Sequence, residues 1–196
     1  DVVLVSVSGW PASAVILKCD GTCGSSATYI FLKGSNGFAS AGLARHGILD
    51  LAIAIAGLHN SHGEVAILPG LGDERFARPV FLNLTDNAVR LVATDLNHDG
   101  KLDLAVALSS GGNALGVMLG NGDGTFQPVV KSVSGAAADI AAADFNGDGN
   151  VDLALVAGFD SQVRVVLGNG DGTFQPATAC PSAEVEFTVA PADLSA

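Results

Sequence analysis

The sequence predicts an all-β protein, a β-propeller of about four blades, each blade a four-stranded antiparallel sheet. Three observations carry this. The chain repeats itself: LGNGDGTFQP stands at 119–128 and again at 167–176, an offset of 48, and DLNHDGKLDLAVAL from Asp95 is answered by DFNGDGNVDLALVA from Asp144, an offset of 49. Glycine-rich turns separate short runs of apolar and β-branched residues. Those runs are apolar at nearly every position, which describes strands covered on both faces. Units of ~40–50 residues with four such strands, each sheet between two neighbours, make propeller blades. A helical solenoid needs a 3.6-residue period, and none is present.

Taken in order, the repeat units are 1–49, 50–102, 103–151 and 152–196, forming a single propeller region over 1–196. Around the third unit the strands read as 89–94, 103–108, 115–119 and 126–133. Residues 136–143 are alanine-rich and would suit a short helix on propensity alone, but their counterpart 89–94 argues for a strand. Fainter copies extend the series. GLGDERF at 70–76 lies 50 before 120–126. KGSNGF at 33–38 reads as a shortened form of the same turn. On that reading Phe38 to Asp50 spans 12 residues where Phe126 to Asp152 spans 26, and a strand-sized piece is expected to be missing. Residues 1–5 match 103–107, and 192–195 match 143–146. The segments 184–194 and 1–7 are thus expected as first and second strands. They either close a small ring of four, form the cut edges of a larger propeller, or pair between molecules as a polymer. The N-terminal Asp1 with no signal-like segment is expected of a processed, excised or incomplete chain.

The loops before Asp103 and Asp152 carry the chemistry. Asp95, Asn97, Asp99, Lys101 and Asp103 stand at positions 1, 3, 5, 7 and 9, and Asp144, Asn146, Asp148, Asn150 and Asp152 stand in the same places. Alternate residues of a tight loop can point inward. Position 7, Lys in one copy and Asn in the other, would offer its backbone carbonyl. Glycine at position 6 permits the sharp turn. Three carboxylates and one amide are hard oxygen donors and suit Ca²⁺, at two expected sites. Without an ion the carboxylates repel one another. The start of each loop also matches an EF-hand, but position 12 is Val106 or Leu155 instead of Glu, and strands replace the flanking helices. Before Asp50 the first three ligands are replaced by Gly42, Ala44 and His46, so that site is expected to be dead. Asp1 and Asp193 are halves of incomplete motifs. In GNGDGTF, Asp123 and Asp171 read as hairpin-turn residues, with Phe126 and Phe174 tucked into the core.

Composition narrows the function classes. A net charge of −11 argues against a nucleic-acid partner. No apolar run approaches the ~20 residues of a membrane span. Apolar residues make up 48% of the chain and charged ones 15%, as in a globular protein. Cys19 and Cys23 could close a small disulfide loop in an oxidising compartment, leaving Cys180 odd. His59 and His62 form only a weak metal pattern. Asn83-Leu84-Thr85 is an N-glycosylation sequon on an expected edge strand. No Ser/His/Asp, Cys/His or paired-carboxylate arrangement stands outside the loops, so no enzyme is expected.

DxNxDGxxD followed by an apolar strand and then LGNGDGTF resembles the FG-GAP repeats of integrin alpha-chain propellers and their bacterial VCBS-type relatives. The resemblance covers nearly the whole chain. It is specific in two units, weaker over 50–94 and weakest over 1–49. It implies a calcium-stabilised propeller of a secreted or surface protein, acting in adhesion, carbohydrate binding or assembly. It carries the calcium positions onto the ten loop residues named above. The function expected is an extracellular binding, adhesion or assembly module with a protein or glycan ligand. The alternatives are a lectin-like propeller, a structural subunit of a surface fibre joined through its terminal strands, and the propeller part of a larger secreted enzyme. Trp10 is the one tryptophan and Tyr29 the one tyrosine, so repeated aromatic sugar platforms are not expected.

Overall fold

The computed structural model describes residues 13–17, 27–31, 35–41, 43–44, 47–57, 62–72, 75–110, 112–157 and 162–181, with side chains from Leu43 onward. In chain order the strands are β1 (Ser13–Leu17), β2 (Ala27–Phe31), β3 (Ser35–Ala41), β4 (Asp50–Ile55), β5 (Glu64–Leu68), β6 (Gly70–Gly72), β7 (Arg75–Phe76) and β8 (Val80–Asn83). They continue as β9 (Ala88–Thr94), β10 (Asp103–Leu108), β11 (Asn113–Met118), β12 (Val130–Ser134), β13 (Ala137–Ala143), β14 (Asp152–Ala157), β15 (Gln162–Val166) and β16 (Thr178–Pro181). Among the described residues there is no helix. The sheets β3-β4-β5-β8, β9-β10-β11-β12 and β13-β14-β15-β16 are antiparallel meanders of four strands, the blades of a β-propeller. β1 and β2 pair as a two-stranded sheet, and β6 and β7 make a small hairpin between β5 and β8.

The uniformly apolar strands follow from this stacking. Successive side chains of a strand point to opposite faces. On β10, Leu104, Val106 and Leu108 join Ala52, Ala54, Val65 and Ile67 of the preceding sheet in one core. Ala105 and Ala107 of the same strand join Ile140, Leu153 and Leu155 of the following sheet in a second core. Each face has its own partner, so no position is left for a polar residue. β9 packs beside both β3 and β13, which brings the first strands of the sheets together. The alanine-rich segment 137–143 is one of these first strands. Its small side chains suit close approach, and packing overrides its helical propensity.

Two boundaries differ from the sequence expectation. Ser35–Ala41 is not a shortened glycine turn but β3, the first strand of its sheet. Lys33 and Gly34 lie outside the described residues. No strand is missing between Phe38 and Asp50: Ala41 pairs with Asp50 as Thr94 pairs with Asp103 and Ala143 with Asp152. Long-range pairing with β4, not the local Ser, Asn and Gly content, decides the conformation. Phe126 also does not begin the fourth strand. It closes a small hairpin by bridging to Gly120, as Phe174 does to Gly168, and β12 starts at Val130.

The expected closing strands at 184–194 and 1–7, together with Cys19, Cys23, His59, Asp1, Asp193 and Trp10, lie outside the described residues. Cys180 is a free, exposed thiol on β16. Asn83 is exposed at the edge of its sheet, since β8 is an outermost strand. Among the described residues no helix is long and apolar enough to cross a membrane.

Candidate metal centres in the aspartate loops

Both aspartate loops connect the first strand of a sheet to its second, 95–102 between β9 and β10 and 144–151 between β13 and β14. Each is wound by its own side chains. Asp95 accepts the amides of Asn97 (3.3 Å) and Gly100 (2.8 Å). Asn97 accepts that of Asp99 (3.1 Å), and Asp99 that of Lys101 (2.9 Å). The second loop repeats this. Asp144 accepts the amides of Gly147 (2.7 Å), Asp148 (3.2 Å) and Gly149 (2.8 Å). Asn146 accepts that of Asp148 (2.9 Å) and Asp148 that of Asn150 (2.7 Å). These are Asx turns, the local bonds for which Asp and Asn are favoured in loops. They hold the oxygens at positions 1, 3 and 5 on a common frame.

Position 4 of the frame is left-handed in both copies. Gly147 adopts it with φ 76°, and His98 with φ 58°. The conformation costs a non-glycine residue about 1 kcal/mol or more. It places the His98 ring against the neighbouring loop, with Nε2 3.0 Å from Asn150 Oδ1. The Gly172 amide donates to the Leu96 carbonyl (3.1 Å), a second tie between adjacent sheets. The sequence gives no sign of either contact.

Position 9 behaves differently from the others. Asp103 is fully buried. One of its oxygens accepts the Leu96 amide (2.9 Å) and the other the Gly120 amide (2.8 Å). Asp152 takes Phe145 (2.9 Å) and Gly168 (2.8 Å) in the same way. Asp50 takes Ala44 (3.0 Å) and Gly70 (2.8 Å), although its loop carries Ala44 in place of an oxygen ligand. Gly42 and His46 of that loop lie outside the described residues. The ninth-position aspartate is therefore a clamp between its loop and the hairpin after the third strand. The fit is tight: a Cβ on Gly120 would stand 2.1 Å from the Leu102 carbonyl oxygen, and one on Gly168 2.3 Å from that of Val151. Burial pushes the Asp103 carboxyl above the ordinary aspartate range. The two amides pull it back, and the charges of Asp99 and Asp95 push it up further. A signal for the clamp was present in the sequence, because Asp50 survives where its companions do not.

Among the described residues no three Asp, Glu, His or Cys side chains gather closely enough to hold an ion. In each loop the carboxylates at positions 1 and 5 share one frame, while the position 9 carboxylate is turned to its amides. The donor chemistry suits a hard cation: two carboxylates and an amide oxygen per loop, with a backbone carbonyl at position 7 and a further lone pair on each clamp oxygen. Neither motif carries a cysteine, and the one imidazole in them, that of His98, is turned to Asn150 of the neighbouring loop, so the nitrogen and sulfur set that zinc prefers is not assembled.

The GNGDGTF turns form the hairpins expected of them. Asp123 accepts the amide and hydroxyl of Thr125, and Asp171 those of Thr173. Both carboxyls are held below the ordinary value of 3.8, first by the threonine hydroxyl and then by the amide. Phe126 and Phe174 pack against the two cores. Thr125→Val is expected to move the Asp123 carboxyl back up toward 3.8 in an NMR titration; an unmoved titration would count against the hydroxyl as the main cause.

The FG-GAP-like repeat model matches residues 95–155 and 144–196, two overlapping repeats that together run from the first ligand position of the first loop through the third sheet. The chain belongs to the FG-GAP-like repeat family. The match is to FG-GAP-like repeats at large and not to integrin alpha chains in particular. No curated protein matches the sequence. Among solved structures the FG-GAP-like chain is similar to a lectin of Agrocybe aegerita, described as specifically recognising non-reducing terminal N-acetylglucosamine. The TM-score is 0.55 at 18% identity, covering 94% of this chain and 52% of the lectin chain. The chain thus spans about half the length of that lectin, and the likeness establishes the fold alone.

Proposed function

We propose that this FG-GAP-like chain is a calcium-stabilised binding module of the extracellular space, with no catalytic role. The observation that carries the reading is the pair of aspartate loops. Two copies of one oxygen-donor frame occupy the same place on adjacent sheets, between first and second strands. A Ca²⁺ ion in each, held by Asp95, Asn97 and Asp99 or by Asp144, Asn146 and Asp148, with the carbonyls of Lys101 and Asn150, would neutralise the loop carboxylates and stiffen the connection, while Asp103 and Asp152, expected from the sequence as ligands, keep to their amides. Its role is structural. Calcium is expected to raise the melting temperature and EGTA to lower it in differential scanning calorimetry. A melting temperature indifferent to both ends the metal reading. Asp148→Ala is expected to lose about one bound ion per chain in calorimetric titration, while Asp171→Ala loses none.

The ligand we propose is a glycan or a protein at the cell surface. The likeness to the Agrocybe aegerita lectin favours the lectin-like form of this reading. A glycan array that includes N-acetylglucosamine-terminated glycans tests it: selective binding supports a lectin, and a blank array with calcium present turns the reading toward a protein partner.

A further inference from the structure

The seams between the four-stranded sheets are not packed alike. At one place on the third strands β5, β11 and β15 stand Ala66, Gly116 and Arg164, paired with Ile53, Val106 and Leu155. Ala66 and Gly116 are buried, and the space beside Gly116 is filled: a Cβ there would meet Val129 at 3.1 Å and Leu108 at 3.4 Å. At the repeat offsets of 48 and 49, the counterparts of Val129 and Leu108 in the third sheet are Ala177 and Ala157. Two aliphatic side chains are thus cut back where a guanidinium enters. The seam between the second and third sheets opens into two clefts, of about 390 and about 490 Å³, and Arg164 lines both. Ala157 lines the first cleft and Ala177 the second. The guanidinium rests on the link between the sheets: a Cβ on Gly135, whose φ is 112°, would stand 2.9 Å from Arg164 Nη1. Val133 lines the second cleft with φ 62°. For a β-branched residue that is a strained conformation, and such strain gathers at ligand sites.

We infer that this seam binds a sugar bearing a carboxylate, with Arg164 as its anchor. The inference rests on the glycan form of the reading proposed above. A guanidinium meets a carboxylate through two parallel hydrogen bonds, a geometry that a neutral sugar cannot return. The second cleft adds Ser132, Ser134 and Gln175, whose hydroxyls and amide suit ring hydroxyls, and the half-buried Phe174 ring, which suits the C–H face of a pyranose. An acidic peptide shares the carboxylate. Its further acidic groups would meet repulsion from a chain of net charge −11, whereas an acidic sugar brings a single charge to the one guanidinium.

NMR titration of the full chain with glucuronic acid, N-acetylneuraminic acid, glucose and a glutamate peptide tests this. At least one of the two acids is expected to bind about tenfold or more tighter than glucose. Which acid does so separates a uronic from a sialic source. Arg164→Gln removes the preference, and Arg164→Lys, which keeps the charge without the fork, retains part of it. Ala177→Val restores the aliphatic bulk of the packed seam with the guanidinium still in place, and is expected to lose most of the binding of every sugar. The inference is overturned if Arg164→Gln keeps the preference, if Ala177→Val binds the acid unchanged, or if the peptide alone binds through Arg164. Sugars bound with no preference for the acids sink this inference but spare the glycan reading; a wild-type chain that binds no sugar here or on the array sinks both.

Discussion

Asp103→Ala is expected to destabilise the chain by about 3–5 kcal/mol in urea unfolding, and by a similar amount with calcium or with EGTA. The Asp103 side chain is fully buried and satisfies two backbone amides, Leu96 N and Gly120 N, in a region with little access to water. Alanine leaves both donors without a partner, and each buried orphan costs about 1–3 kcal/mol. It also opens a gap that the tight contact at Gly120 prevents the backbone from closing. Asp103→Asn is nearly as harmful, because its amide group turns a donor toward a donor. The discriminating experiment uses Asp50, which makes the same two bonds in a loop with Ala44 at a ligand position. Asp50→Ala is expected to cost a comparable amount while leaving calcium stoichiometry unchanged. An Asp103→Ala variant that is destabilised only in the presence of calcium would show the residue to be a ligand and not a clamp.

Leu104→Ala is expected to cost about 3–5 kcal/mol. Leu104 is fully buried on the face of β10 that meets the preceding sheet, among Ala52, Ala54, Val65 and Ile67. Two stiff sheets with small residues opposite cannot collapse into the space, which places the expected cost in the upper range for such truncations. Val130→Ala provides the contrast. Val130 is 66% exposed on an outer strand, and its loss is expected to stay within about 0.5 kcal/mol. The denaturation midpoints of the two variants decide the matter. Equal midpoints would mean that the sheets do not rely on their shared core.

Much of the architecture was legible in the residues. The offset copies give the repeat, and strands such as Asp103–Leu108 and Asp152–Ala157, apolar at every position after the aspartate, require a cover on each face. β3 was not legible, because Ser35, Asn36 and Gly37 look like a turn when taken locally. Their identity comes from pairing with β4, where Ser35 meets Ile55 and Gly37 meets Ala54, far beyond the reach of a local turn. Phe126 misled for the opposite reason: a large apolar residue suggests a strand, and it serves instead to close a hairpin on Gly120. The loop residues were found by spacing. The division of labour within the loops was not, since a buried carboxylate that ties its loop to a distant hairpin and one that winds its own loop are written with the same letter. Only the partners of Asp103 separate them. His98 was passed over because it supplies no motif oxygen, and Lys101 was read for its backbone carbonyl alone, although the His98 ring bridges two sheets and the Lys101 ammonium pairs with Asp99.

The clamp has an evolutionary consequence. Because Asp50 ties its loop to the following hairpin with Ala44 at position 3, the connection between first and second strands holds without a full set of oxygen donors in the loop. Replacements at positions 1, 3, 5 or 7 can therefore accumulate one blade at a time without undoing the strands. The ninth aspartate and the two amides it holds are what the three described blades keep in common.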